Sequence, residues 1–119
     1  MIRNGLYKIT YATSSEPTDE PGEVLAVVRR GRIFGSDRFG AVYRGYDATT
    51  AKDQGVIVNV TADVPPGGEL MTGFSGGENG AQAQIVGRVD PAAKQQRAIF
   101  DVAGSPLEID ITFLGPLPN

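Results

Sequence analysis

The sequence predicts an all-β fold, specifically an eight-stranded antiparallel up-and-down barrel. Three observations lead there. Sixteen Gly and eight Pro in 119 residues describe many short elements joined by turns rather than a few long helices. Eight short stretches rich in β-branched and aromatic residues alternate bulky with polar, the period of a strand with two different faces. Their connections are mostly short, which favours hairpin after hairpin, and closing such a sheet on itself removes its exposed edges. A chain of this length holds one core, so residues 1–119 form a single domain.

The first strand is "GLYKITYA", residues 5–12, and "TSSEPTDEPG", residues 13–22, is an exposed loop of turn formers and charges. "EVLAVVRRGRIFG" folds into strands over 23–29 and 32–35, with the turn at Arg30-Gly31, where glycine takes the positive φ of a tight hairpin. "GAVYRGYD", residues 40–47, is the fourth strand, with Val42, Arg44 and Tyr46 on one face and Ala41, Tyr43 and Gly45 on the other. Its interior glycine predicts a bend or bulge. "GVIVNVTADV", residues 55–64, sets Val56, Val58 and Val60 on one face and is the strongest strand signal in the chain. A connection over 65–80 is too long for a hairpin loop and is a natural place to look for a binding surface. "AQAQIVGRV", "QRAIFDV" and "PLEIDITFL" complete the set. In the last, Leu107, Ile109, Ile111 and Phe113 point inward and Glu108, Asp110 and Thr112 outward.

Composition narrows the function. No His and no Cys are present, which removes the commonest general base, the commonest transition-metal ligand and every thiolate. The stretch "GFSGG", residues 73–77, fits the Gly-x-Ser-x-Gly elbow of serine hydrolases, but no histidine exists to activate Ser75 and no helical period follows it. The glycines of this region are likewise followed by no Gly-Lys-Ser/Thr, so they read as a flexible loop and not a phosphate cradle. Glu108 and Asp110 share a strand face, but it is the solvent face, so they do not read as a catalytic pair. Asp37, Asp47, Asp53 and Asp63 sit at strand ends and turns, where aspartate caps backbone. The expectation is a non-enzyme without cofactor or metal.

A net charge of −3 argues against nucleic acid as a partner. No apolar run is long enough for a transmembrane helix, the longest being Val24–Val28. The start of the chain lacks the apolar core of a secretory signal, and cysteine is absent, so a cytoplasmic protein is expected. Charge is uneven. Arg32 and Arg44 fall on adjoining strands that can share a face and bind an anion or an acidic partner. Glu16, Asp19, Glu20 and Glu23 form an acidic group with no basic residue between them. These six are the candidate partner-binding residues. An eight-stranded barrel is just wide enough to be filled by side chains or to hold one small ligand. Tyr7, Tyr43, Ile109, Ile111 and Phe113 are the candidate lining residues, with Tyr11 and Tyr46 as further aromatic candidates for the interior or rim.

"NGLYKITY", then "GSDRFGAVYRGYD" and a closing "LEIDITFLGPL" resemble the bacterial GrlR family, negative regulators of type III secretion and their uncharacterised relatives. The shared features are the Asn-Gly-aromatic start, Gly35 and Asp37 before the fourth strand, and Tyr43 and Gly45 within it. The resemblance spans nearly the whole chain. It implies a lipocalin-like eight-stranded barrel that works as a homodimer and regulates by binding another protein. The family's acidic run after the fourth strand is missing, since "ATTAKDQ" offers Asp53 alone beside Lys52. Ser36 stands where a second glycine is usual, with one extra residue before Tyr43. The acids of residues 16–23 would then supply the partner patch from a different loop. The expected function is a regulatory protein that binds and modulates a transcription regulator or secretion component; the alternative is a barrel holding a small apolar ligand.

Overall fold

A computed structural model describes residues 2–11, 22–37, 40–49, 55–68 and 75–118. The strands are β1 (Gly5–Tyr11), β2 (Gly22–Arg29), β3 (Arg32–Asp37), β4 (Val42–Thr49), β5 (Val56–Val64), β6 (Ala81–Val89), β7 (Gln95–Val102) and β8 (Ser105–Gly115). Each pairs antiparallel with its sequence neighbour, and β1 pairs with β8 to close the barrel. The fold is the eight-stranded up-and-down barrel that alternation predicts, consistent with the lipocalin-like barrel that the resemblance implies.

Strict period-two burial explains why these stretches are strands. Val56, Val58, Val60, Ala62 and Val64 of β5 are all buried, while the residues between them are half-exposed. Val24, Ala26 and Val28 of β2 do the same opposite exposed Glu23, Leu25 and Arg29. Among the described residues none that is buried is charged, so the interior is held by apolar burial, on the order of 25 cal/mol per Å² removed from water.

The turns fix the register. Arg30 and Gly31 have φ of 51° and 78°, the pair of positive values that suits a two-residue turn to the twist of its strands. Ala103 and Gly104 repeat the device between β7 and β8, with φ of 51° and 89°. Because hairpins alternate ends, Arg30-Gly31 and the 90–94 turn lie at one end, and the 65–80 connection and Ala103-Gly104 at the other.

Gly45 differs from its sequence reading. The β4 register runs unbroken through it against both β3 and β5, so it makes no bulge. A side chain there would put Cβ 2.2 Å from the Asn59 carbonyl oxygen and 2.8 Å from Val60 Cα. The glycine is needed for close strand approach. The register shift lies instead between Leu6 and Tyr7, where β1 meets β8. Several strands also run longer than expected, β3 to Asp37 and β4 to Thr49.

The first end is plugged by residues 2–4. The Ile2 amide donates to Asp47 Oδ2 at 2.6 Å and the Arg30 amide to Asn4 Oδ1 at 2.8 Å. These bonds hold the Ile2 side chain, 9% exposed, over the core. Asp47 thus caps a distant segment rather than its own turn.

Candidate functional site

The barrel interior holds an apolar cavity of about 120 Å³ that is partly open to the outside. Val58 and Val60 of β5, Ile85 of β6 and Ile109 of β8 form its wall, and Ile2, Asp90 and Gln96 lie at the plugged end. Of the expected lining residues, Tyr7, Tyr43, Ile109 and Ile111 face this space. Phe113 sits outside it, at the rim. Its ring covers Gly5 and packs against Tyr7 with centroids 5.2 Å apart, and the Arg3 guanidinium lies 4.1 Å from its centroid. Tyr11 is buried, whereas Tyr46 points outward and is 56% exposed. The lining residues not nominated from sequence include Ile2, Gln96 and Val58 and Val60 of β5. The valine alternation carried that signal; Gln96 and Ile2 carried none, because their positions depend on distant partners.

Both lining tyrosines turn their hydroxyls to protein acceptors. Tyr7 donates to the Arg3 carbonyl at 2.6 Å and Tyr43 to Asp37 Oδ2 at 2.8 Å. Burial, then the Asp37 hydrogen bond and charge, pushes the Tyr43 hydroxyl far above the ordinary tyrosine range. Burial also raises Tyr7, opposed by the Arg3 cation. Asp37 Oδ1 meanwhile accepts from the Ala41 amide at 3.1 Å, the local capping role expected of it. With its polar tips engaged at the margins, the cavity offers ligands almost only hydrocarbon.

The outer face is divided. Over β4–β6 it is a polar ladder: Arg44 Nε lies 3.3 Å from Asp63 Oδ2, Gln82 donates to Asp63 and Gln84 to Thr61. Over β7 and β8, Arg97 bridges Asp110 at 3.0 Å and Glu108 at 3.3 Å. Hydrogen bonding to Asp110, then the two carboxylate charges, holds Arg97 above the usual arginine value. One cation therefore engages both Glu108 and Asp110. From β1 to β4 the face is apolar. Leu25, Phe34, Val42 and Tyr46 are 53%, 54%, 50% and 56% exposed. Val27 pairs with both Leu6 and Phe34, so the band runs unbroken from β1 to β3, and Val42 and Tyr46 continue it on β4.

Arg32 and Arg44 do share the outer face. Arg32 pairs with Tyr46 at one edge of this band, whereas Arg44 pairs with Phe34 and stands within it, between Val42 and Tyr46, engaged by Asp63. Glu23 is exposed at the other end of β2, opposite Thr10. Glu16, Asp19, Glu20 and Asp53 lie outside the described residues. Among the described residues of the 65–80 connection, the Gly67 amide donates to Gly77 and the Gly76 amide to Gly68, each at 2.8 Å. Ser75 Oγ accepts from the Gly77 amide at 3.1 Å, a local turn contact. None of the described residues among these lines the cavity.

Compared with protein-family models and with curated proteins, the sequence matches none.

Proposed function

We propose that this chain is a non-catalytic regulatory barrel that acts by binding protein. It forms a homodimer across the outer face of β1–β4, and the dimer modulates a transcription regulator or secretion component by occupancy. The observation that carries the reading is the band of Leu25, Phe34, Val42 and Tyr46, each half exposed or more. Contiguous exposed apolar surface on a soluble barrel marks an interaction site. A second copy fits it because a two-fold interface must be self-complementary, apolar at its centre with charges of both signs around it. Lys8, Arg32 and Asp63 border this band through their strand partners Leu25, Tyr46 and Val42, and Arg44, within it, is neutralised by Asp63. On the remaining faces the exposed apolar residues Val86, Ile99 and Leu114 are interspersed with the polar pairs of β5–β8 and form a smaller group. The regulated partner rests on the sequence resemblance, a cytoplasmic setting rests on the absence of cysteine, and the net charge of −3 disfavours nucleic acid.

Sedimentation equilibrium tests this directly. Leu25→Glu with Phe34→Asp places four like charges across the two-fold, so a wild-type dimer becomes a monomer with an unchanged β-sheet circular dichroism spectrum. A wild-type monomer at tens of micromolar overturns the interface.

The cavity favours a second reading, a barrel that holds a small apolar ligand. It is compatible with the first, since the inner and outer faces of each strand are separate surfaces.

A further inference from the structure

The barrel has one seam that its backbone does not close. β5 and β6 pair at nine positions, Val56–Val64 with Ala81–Val89. On its other side β6 pairs with β7 at only two, Ile85 with Val102 and Val86 with Asp101, extended one step by the Ala103 amide donating to Gln84 at 2.9 Å. From Gly87 and Phe100 towards the hairpin turn there are no further paired positions. Strands of one hairpin are expected to pair best beside their own turn; this one is paired at the far end and unpaired near it.

Two side chains occupy the gap. Gln96 acts as a substitute rung: the Asp90 amide donates to its Oε1 and its Nε2 donates to the Asp90 carbonyl, both at 2.8 Å. Asp90 in turn is set by its carboxylate, which accepts from the Ala92 amide at 2.9 Å. Further along, the Phe100 ring fills the place where Gly87 would carry a side chain, with ring carbons 2.3–2.4 Å from that Cβ position. Gln96, Phe100, Val89 and Asp90 all line the cavity. Ile99, on the outside of the same stretch, is 67% exposed.

We propose that the interior binds a compact apolar molecule of about benzene size, and that it enters and leaves through the β6–β7 seam, latched by Gln96 and plugged by Phe100. This rests on the second, ligand-holding reading above. Size follows from volume: an engineered apolar cavity of about 150 Å³ stays dry and takes benzene, so about 120 Å³ admits roughly a single six-membered ring. Chemistry follows from the lining, whose tyrosine hydroxyls are already bonded to Arg3 and Asp37. The route follows from what must break. Between residues 87 and 96 the barrel opens by releasing one glutamine side chain and rotating one ring, whereas entry across β5–β6 would break a continuous ladder.

Toluene is the probe, titrated into full-length protein carrying methyl labels on Ala, Ile and Val and followed by NMR. The site predicts saturable shifts at Val58, Val60, Ile85 and Ile109. Their absence up to the solubility limit overturns the site. The seam is tested by exchange spectroscopy. Gln96→Ala raises the toluene dissociation rate by about tenfold, the loss of one or two neutral hydrogen bonds, with affinity changed less than about threefold because free and bound states lose the same latch. Gln84→Ala, which removes an outer-face bond on the paired part of β6, leaves the rate alone. Equal rates in both variants and wild type overturn the seam while leaving the ligand site standing. Gln96→Glu keeps the acceptor for the Asp90 amide and loses only the donor, and its intermediate rate serves if the alanine variant does not fold.

Discussion

Ala26→Val is expected to stabilise the protein, which would be unusual for an enlarged core residue. Ala26 is 7% exposed, faces the cavity, and is flanked across the sheet by Tyr7 and Gly35. At about 24 cal/mol per Å³, a void of about 120 Å³ forgoes about 3 kcal/mol of packing. Valine adds two methyl groups, each contributing about 0.8 kcal/mol when buried, and its branched β-carbon suits a strand. After side-chain entropy the net gain should be about 1 kcal/mol. Urea unfolding followed by circular dichroism reads this as a midpoint higher by roughly 0.5–1 M at unchanged slope. The same variant should weaken toluene binding, because both occupy one volume. Destabilisation by about 1–3 kcal/mol, the usual cost of overpacking, would mean that the interior beside Ala26 is already full and would refute the hollow barrel.

Three further outcomes follow from the same geometry. The Tyr43 hydroxyl stays protonated in the fold well above the value of 10.0 at which it ionises when unfolded, so its contribution is complete below pH 10 and is lost as pH rises from there towards the folded value. Tyr43→Phe should therefore flatten the alkaline fall in urea stability, leaving a smaller slope from Tyr7, and should cost about 1 kcal/mol at pH 7 through the lost bond to Asp37. Gly45→Ala should destabilise by about 3 kcal/mol, the upper range for overpacking, because the atoms it meets are Asn59 and Val60 backbone; a thermal midpoint within a degree of wild type would contradict the close-approach reading. Arg97→Ala should lower the thermal midpoint slightly at low ionic strength and not at all in high salt, as expected for exposed charges.

The fold was legible because alternation is a local property. β6 runs over Ala81–Val89 as its pattern indicates, and the valine row of β5 declares the buried face without help from any neighbour. β4 was harder, since Tyr43 and Tyr46 place an aromatic residue on each face; only the closed sheet decides that Tyr43 goes in and Tyr46 out. Gly45 shows a different limit. A glycine inside a strand signals a bulge or a close approach with equal force, and the distance to Asn59 is a property of two strands. Tyr7, Tyr43, Ile109 and Ile111 were readable as lining because they are bulky residues on inward faces. Phe113 shares that alternation yet reaches the rim, where Arg3 and Gly5 hold its ring. Gln96 was invisible, because its role depends on where the β6–β7 ladder stops, which no residue type announces.

Native mass spectrometry of the tagged protein captured gently from its own cells weighs subunits and protein partners together and so tests the dimeric, protein-binding barrel. Two copies of the 12.6 kDa chain associated with a second, different protein are predicted, and Leu25→Glu with Phe34→Asp should reduce the assembly to one copy. A single wild-type chain with no protein bound, alone or carrying only a small ligand, would contradict it.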